Sequence, residues 1–198
     1  MSGTYVALEG GEGSGKTTVA ELLASRLLAA GREVVVVREP GSTELGEQIR
    51  QLVLHSMEMT PWAEALLFAS QRAELVATLV APALAAGKVV ISDRTLYSSL
   101  AYQGGARGLG IERVRELNLL AVEGVIPDLV VVLGVEPEVG LARQSAPDRI
   151  GREKSDFQGR VAAAYRELAE LEPARVVIVP AGDDAGAVAD RILELMDR

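Results

Sequence analysis

Short runs of apolar, mostly β-branched residues alternate along the chain with longer stretches in which apolar positions recur every three or four residues. The short runs fall at 4–9 (TYVALE), 33–38 (EVVVVR), 88–92 (KVVIS), 129–135 (LVVVLGV) and 175–180 (RVVIVP). Each is nearly continuous, with no polar face, as in strands covered on both sides. The helical pattern occupies segments near 16–30, 43–54, 61–86, 95–103, 111–124, 136–144, 156–171 and 185–197. Gly31 and Gly87 stand just before the second and third strands, where the preceding helices should stop. Thr60-Pro61 reads as an N-cap followed by proline at the first helical position, and Pro82 should kink or end the helix begun there. The alternation predicts an α/β fold of three layers, with helices on both faces of a five-stranded parallel sheet. No repeat or linker interrupts it, so residues 1–198 are expected to form a single domain.

One polar stretch breaks the rhythm. Residues 145–155 (SAPDRIGREKS) carry Arg149, Arg152 and Lys154, with Arg143 just before. By itself this is a solvated loop. After a strand–helix unit in a chain that also carries a phosphate loop, it reads as a mobile basic lid over about 143–155. The net charge of −8 argues against a nucleic-acid partner. Bound anions must therefore be met by local arginines or backbone amides. The absence of cysteine excludes disulfides, thiolate metal sites and cysteine nucleophiles, and fits a cytoplasmic protein. No basic-then-apolar leader and no apolar run of membrane-spanning length is expected.

The segment Gly10, Gly11, Glu12, Gly13, Ser14, Gly15, Lys16, Thr17 fits G-x-x-x-x-G-K-[ST], with a strand before it and a helix after. Glycines let backbone amides wrap phosphates, and the helix start adds its positive dipole. Lys16 should reach the β- and γ-phosphates of ATP, the Thr17 hydroxyl should ligate Mg²⁺, and Thr18 follows on the same turn. The loop alone serves kinases, hydrolases and regulatory switches alike, so the phosphate acceptor must be sought elsewhere. The third strand runs into Asp93-Arg94, a carboxylate for the metal and a cation at the ligand-binding edge of the sheet, or a plain salt bridge. Phe68 and Arg72 lie four apart on one helix face, a ring that can stack and a fork that can read carbonyls.

Taken together, EGGEGSGKTT, REPGSTELGEQIR, LLFASQRAEL, DRTLYSSLAYQGGAR and DRIGREKSDF resemble the thymidylate kinase family of P-loop nucleoside monophosphate kinases, over nearly the whole chain. The resemblance implies a P-loop NTPase fold and transfer of the γ-phosphoryl of ATP to dTMP, with Mg²⁺, by a homodimer. It implies that Phe68 stacks on thymine, that Arg72 and Gln103 contact the base edge, and that Ser99 and Tyr102 lie along the nucleotide. Arg94 would hold the acceptor phosphate, helped by Arg38 or Arg50. Glu39 would organise metal-bound water or a neighbouring arginine. Glu12, a carboxylate inside a polyanion-binding loop, would point out of it and accept a hydrogen bond from the 3′-hydroxyl of the acceptor. Some members place an arginine where this chain has Gly13. Here the catalytic cation would come from the lid, Arg149 first, then Arg143 and Arg152. Adenine contacts would come from the lid and from 180–184. A kinase for another nucleoside monophosphate, and a non-kinase nucleotide-binding module, are the two rival readings. His55, Trp62, the acidic positions Asp190, Glu194 and Asp197, and the turn Asp183-Asp184 are assigned no chemistry.

Overall fold

The computed structural model describes residues 3–55, 58–143, 149–153, 155–182 and 184–197. Five strands, β1 (Thr4–Glu9), β2 (Val34–Arg38), β3 (Val89–Asp93), β4 (Leu129–Gly134) and β5 (Val176–Pro180), form one parallel sheet in the order β2-β3-β1-β4-β5. Around it lie α1 (Lys16–Ala29), α2 (Glu44–His55), α3 (Pro61–Leu75), α4 (Ala81–Ala85), α5 (Leu96–Ser99), α6 (Ile111–Val122), α7 (Pro137–Ala142), α8 (Ser155–Leu171) and α9 (Ala185–Met196). The strand and helix boundaries agree with the sequence pattern to within a few residues, apart from the two helical segments described below.

Alternate residues of β1 enter two separate cores. Val6 and Leu8 face α1 and α9, where Val19, Leu23, Val188 and Ile192 are buried. Tyr5 and Ala7 face the other way, toward Phe68, Leu100, Val114 and Leu168 of the helices on the opposite side. This period of two inside an unbroken apolar run is why the run shows no polar face. Only the two edge strands depart from it. Val36 in β2 and Ile178 in β5, on the two outer strands, are exposed. Gly31 and Gly87 end α1 and α4 with left-handed backbone, and Arg32 N–H and Lys88 N–H reach back five residues to Leu27 and Ala83.

Two helical segments differ from expectation. The stretch 61–86 is capped by Thr60 as anticipated, but it widens to a π-helical turn at Val76–Val80 before α4. Pro82 explains this, since its ring would collide with the carbonyl four residues back in a continuous α-helix. The second, 95–103, is α-helical only to Ser99 and then π-helical from Leu100 to Ala106.

The pairing register sets up the site. Leu8 lies opposite Asp93, and Asp93 opposite Arg38, so the residues that follow all three strands gather at one edge of the sheet.

Candidate active site

The phosphate loop leaves β1 after Glu9 and closes on α1 at Lys16. Lys16 is 7% exposed, and its Nζ donates to Gly11 O at 2.8 Å, Ser14 Oγ at 3.1 Å and Gly10 O at 3.3 Å. Burial, and then the positive charge of Arg94, push its pKa down to about 8. The cation is therefore present below that pH and lost above it. The affinity of the free protein for ATP should fall as pH rises from 7 to 9, with a step near 8. Titration by calorimetry across that range checks this, and Lys16→Arg, whose charge persists, should lack the step. Thr17 Oγ1 donates to Asp93 Oδ2 at 2.7 Å, which joins the two residues expected at the metal. Thr18 is exposed on the same turn.

Gly13 has φ +66°, and a Cβ there would lie 2.0 Å from Gly140 O of α7. A Cβ on Gly140 would in turn lie 2.3 Å from Glu12 O. The two backbones touch, so α7 leaves no room for an arginine at position 13.

Glu12 turns away from the loop. Its Oε1 accepts from Arg94 Nη2 at 2.5 Å and from the Tyr102 hydroxyl at 3.1 Å. Burial alone would raise this carboxyl, but Arg94 and then Lys16 outweigh it and hold Glu12 below the usual carboxylate range. Arg94 also donates to Gly10 O and Ser98 Oγ, each at 3.2 Å, and lies 5.2 Å over the Tyr102 ring. Arg94 has φ +74°, a strained value for a non-glycine residue.

Glu9, which the sequence reading passed over, holds that conformation. It is fully buried. Its Oε1 accepts from Thr95 N and Thr95 Oγ1, both at 2.7 Å, and its Oε2 from Ser98 Oγ at 2.5 Å and the Tyr165 hydroxyl at 2.7 Å. Thr95 and Ser98, which follow Arg94, are thereby pinned to β1. The available signal was a charged residue ending an otherwise apolar strand.

A cavity opens beside this cluster. Glu12, Arg94, Ser98, Ser99, Tyr102 and Gln103 form one side, and Glu39, Pro40, Arg50, Leu54, Phe68 and Ile150 the other. Arg50 donates to Pro40 O at 2.8 Å within it, whereas Arg38 turns outward to Glu47 at 2.8 Å. Arg72 does not line the cavity. At 1% exposure it lies behind it, with Nη1 donating to Ser99 Oγ at 3.2 Å and to Asn118 Oδ1, and Nη2 to Thr95 O at 3.1 Å. Its Nε is 2.7 Å from Glu39 Oε2, an ion-pair contact whose N–H is not aimed along a hydrogen bond. Glu39 also accepts from Gln71 at 2.5 Å, and its Oε1 is buried with no hydrogen-bond partner. Burial pushes its pKa up to about 7 against the charge of Arg72. Asn118, a second residue not foreseen, is buried and completes the setting of Arg72.

Of the basic residues expected in a lid, Arg149 is bound to α2 and α3. Arg149 Nη2 donates to Glu64 Oε2 on α3 at 2.6 Å and its Nε to Val53 O at 2.8 Å. Arg152 lines a separate cavity with Arg107 and His55. Arg143 is exposed just after α7, and residues 144–148 and Lys154 lie outside the described residues. Trp62 packs under Arg113, with the guanidinium 4.8 Å from the ring. Asp184 caps α9, while Asp183 lies outside the described residues.

A phosphate loop on the central strand, a Thr–Asp pair beside it, and an arginine shared between the loop and an adjoining cavity define a P-loop phosphotransferase with donor and acceptor sites side by side. A model of the family described as thymidylate kinase matches residues 8–192. A thymidylate kinase of Synechococcus sp. (strain JA-3-3Ab) is 50% identical over 188 residues, covering 95% of this chain and 92% of its own. One from Leifsonia xyli subsp. xyli is 48% identical over 195 residues, covering 96% and 92%. The crystal structure of thymidylate kinase from Ehrlichia chaffeensis superposes with a TM-score of 0.82 at 28% identity, covering 99% of each chain. The chain belongs to the thymidylate kinase family.

Proposed function

We propose that the protein transfers the γ-phosphoryl of ATP to dTMP, giving dTDP and ADP. The observation that carries this is the Glu12–Arg94–Tyr102 cluster, which stands between the phosphate loop and the cavity. A regulatory module with no acceptor has no use for a second anion site there. The 5′-phosphate of dTMP binds Arg94, with Arg50 beside it, and the base lies against Phe68. Gln103 meets the base edge directly. Arg72 reaches it from behind, through Ser99 and Glu39. Of the two roles open to Glu39, holding a neighbouring arginine is the one that its contacts support. The acceptor phosphate is already ionised at neutral pH, so no general base is assigned. Lys16, Arg94 and a lid arginine offset the repulsion between two anions held in line.

Thr17 and Asp93 offer hard oxygen donors that fit Mg²⁺. Among the described residues no cluster of three His, Cys, Asp or Glu side chains forms an all-protein cage, as suits a cation shared with substrate phosphates. Bound there, Mg²⁺ would neutralise charge on the transferring phosphoryl group. Glu9 is not a ligand, since four donors already occupy its oxygens. Residues 143–155 act as the lid, and Arg149 exchanges Glu64 for the phosphates when it closes. Leu66 on α3 and Leu119 and Leu120 on α6 are exposed apolar side chains on helices that pack together, and they support a homodimer. No helix among the described residues is long and apolar enough to cross a membrane, and we place the enzyme in the cytoplasm.

A coupled assay of ADP release with dTMP, dUMP, dCMP, AMP or no acceptor tests the reading. Turnover should be greatest with dTMP, and release independent of acceptor would leave only a nucleotide-binding module. Glu12→Ala should raise KM for dTMP about tenfold while leaving KM for ATP within twofold, the loss of one charge-assisted hydrogen bond. An acceptor lacking the 3′-hydroxyl should be penalised by the parent enzyme and not further by the variant. Equal penalties in both would remove Glu12 from the sugar.

A further inference from the structure

Beyond holding Arg149 at rest, Glu64 has no role in the reaction just described, yet it is a carboxylate with 1% exposure on the same face of α3 as Phe68. Both its oxygens are occupied. Oε1 accepts from Gln103 Nε2 at 2.8 Å and from Arg107 Nε at 3.3 Å, and Oε2 from Arg149 Nη2 at 2.6 Å and Arg107 Nη2 at 3.4 Å. Burial would raise this carboxyl, but the hydrogen bond from Gln103, and then Arg149 and Arg107, hold it below the ordinary range. An ionised carboxylate accepts and never donates. The Gln103 amide therefore has one allowed orientation, with its nitrogen on Glu64, although nitrogen and oxygen would otherwise be interchangeable by a half-turn. Gln103 also lines the acceptor cavity, so the orientation decides which end of the amide that cavity receives.

We infer that Glu64 is a positioning residue for base selection: it fixes the Gln103 carbonyl toward the acceptor cavity, where it takes a ring N–H and disfavours a bare ring nitrogen. Thymine and uracil carry N–H at N3, and cytosine carries a lone pair. A site that meets the ring with a fixed acceptor rejects the lone pair because two acceptors then face each other with no proton between them. The same carboxylate anchors Arg149, so base reading and the resting position of the lid converge on one side chain. This rests on the reading that the cavity takes the pyrimidine of dTMP.

Glu64→Gln tests it. Arg149 demands an acceptor at one end of the new amide. Its nitrogen then faces Gln103, which must rotate to offer its own oxygen and turn its N–H₂ into the cavity. The ratio of kcat/KM for dTMP to that for dCMP should fall at least about tenfold. The dTMP to dUMP ratio, set by a methyl group elsewhere on the ring, should stay within twofold. A parallel loss on all three acceptors in a variant that melts cooperatively would overturn the inference and leave Glu64 a structural residue. If Glu64→Gln does not fold, Glu64→Asp keeps the charge and shortens the reach. It should lower the dTMP to dCMP ratio several-fold at constant dTMP to dUMP ratio, and a parallel loss overturns the inference there too. A parent enzyme that does not prefer dTMP to dCMP would instead refute the reading of the cavity, and the two failures are thereby separate.

Discussion

Replacing Arg94 with alanine should lower kcat with dTMP about a thousandfold, the scale on which an arginine that neutralises a transferring phosphoryl group acts. The side chain bonds both to the loop, through Gly10 O, and to an acidic group of the adjoining cavity, Glu12. Its removal acts twice. The acceptor phosphate loses its partner, and the Glu12 carboxylate is left uncompensated beside an incoming dianion. The double variant Arg94→Ala/Glu12→Ala should therefore recover part of the loss, a coupling that a thermodynamic cycle on kcat/KM measures directly. ATP affinity should change only a few-fold, since Lys16 and the loop amides remain. Arg94→Lys should not restore the rate, because a single ammonium cannot span Gly10, Ser98 and Glu12 as the planar fork does. If Arg94→Ala keeps kcat within tenfold of the parent, the acceptor phosphate lies elsewhere.

Arg72→Met should cost about 3–5 kcal/mol of stability, the usual outcome when one member of a buried ion pair is removed and the other stays. Glu39 would lose the guanidinium of Arg72 while one of its oxygens already lacks a hydrogen bond, and Ser99, Asn118 and Thr95 would each lose a donor. For a domain of this size the loss lowers Tm by roughly 10 °C. Scanning calorimetry reads this. The companion variant Arg72→Met/Glu39→Gln should regain a large part, because the stranded charge is gone. Glu39 adds a pH signature of known sign. Its folded pKa, about 7, is above its ordinary value of 4.5, so its contribution to stability is fully present below pH 4.5 and lost as pH rises through 7. The Tm deficit of Arg72→Met should therefore shrink on acidification toward pH 5. A deficit that stays constant instead would mean that Glu39 remains ionised throughout.

Much of this was legible in the chain itself. Five apolar runs with no polar face read as buried parallel strands, and the loop at Gly10–Thr17 follows the first of them. The quoted motifs carried the family, and with it the acceptor. The assignment of Phe68, Gln103 and Tyr102 to one cavity also follows from those motifs, although they stand on two separate helices. Distance along the chain says nothing of which arginine turns inward. Arg38 and Arg50 were equal candidates, and the choice falls to Arg50 because Glu47, one turn into α2, draws Arg38 out to solvent.

What the sequence by itself determined is periodic or contiguous: strand burial, helix ends at Gly31 and Gly87, the cap at Thr60, the phosphate loop. Such features depend on neighbours within a few residues, so they are written locally. What only the tertiary structure decided is the pairing of carboxylates with donors far apart in the chain. Glu9 with Tyr165, Glu12 with Arg94, Glu39 with Arg72, and Glu64 with Gln103 and Arg149 are separated by between 33 and 156 residues. A buried carboxylate is tolerable only where donors surround it, and which donors those are follows from the order β2-β3-β1-β4-β5 and from the way the helices cover it.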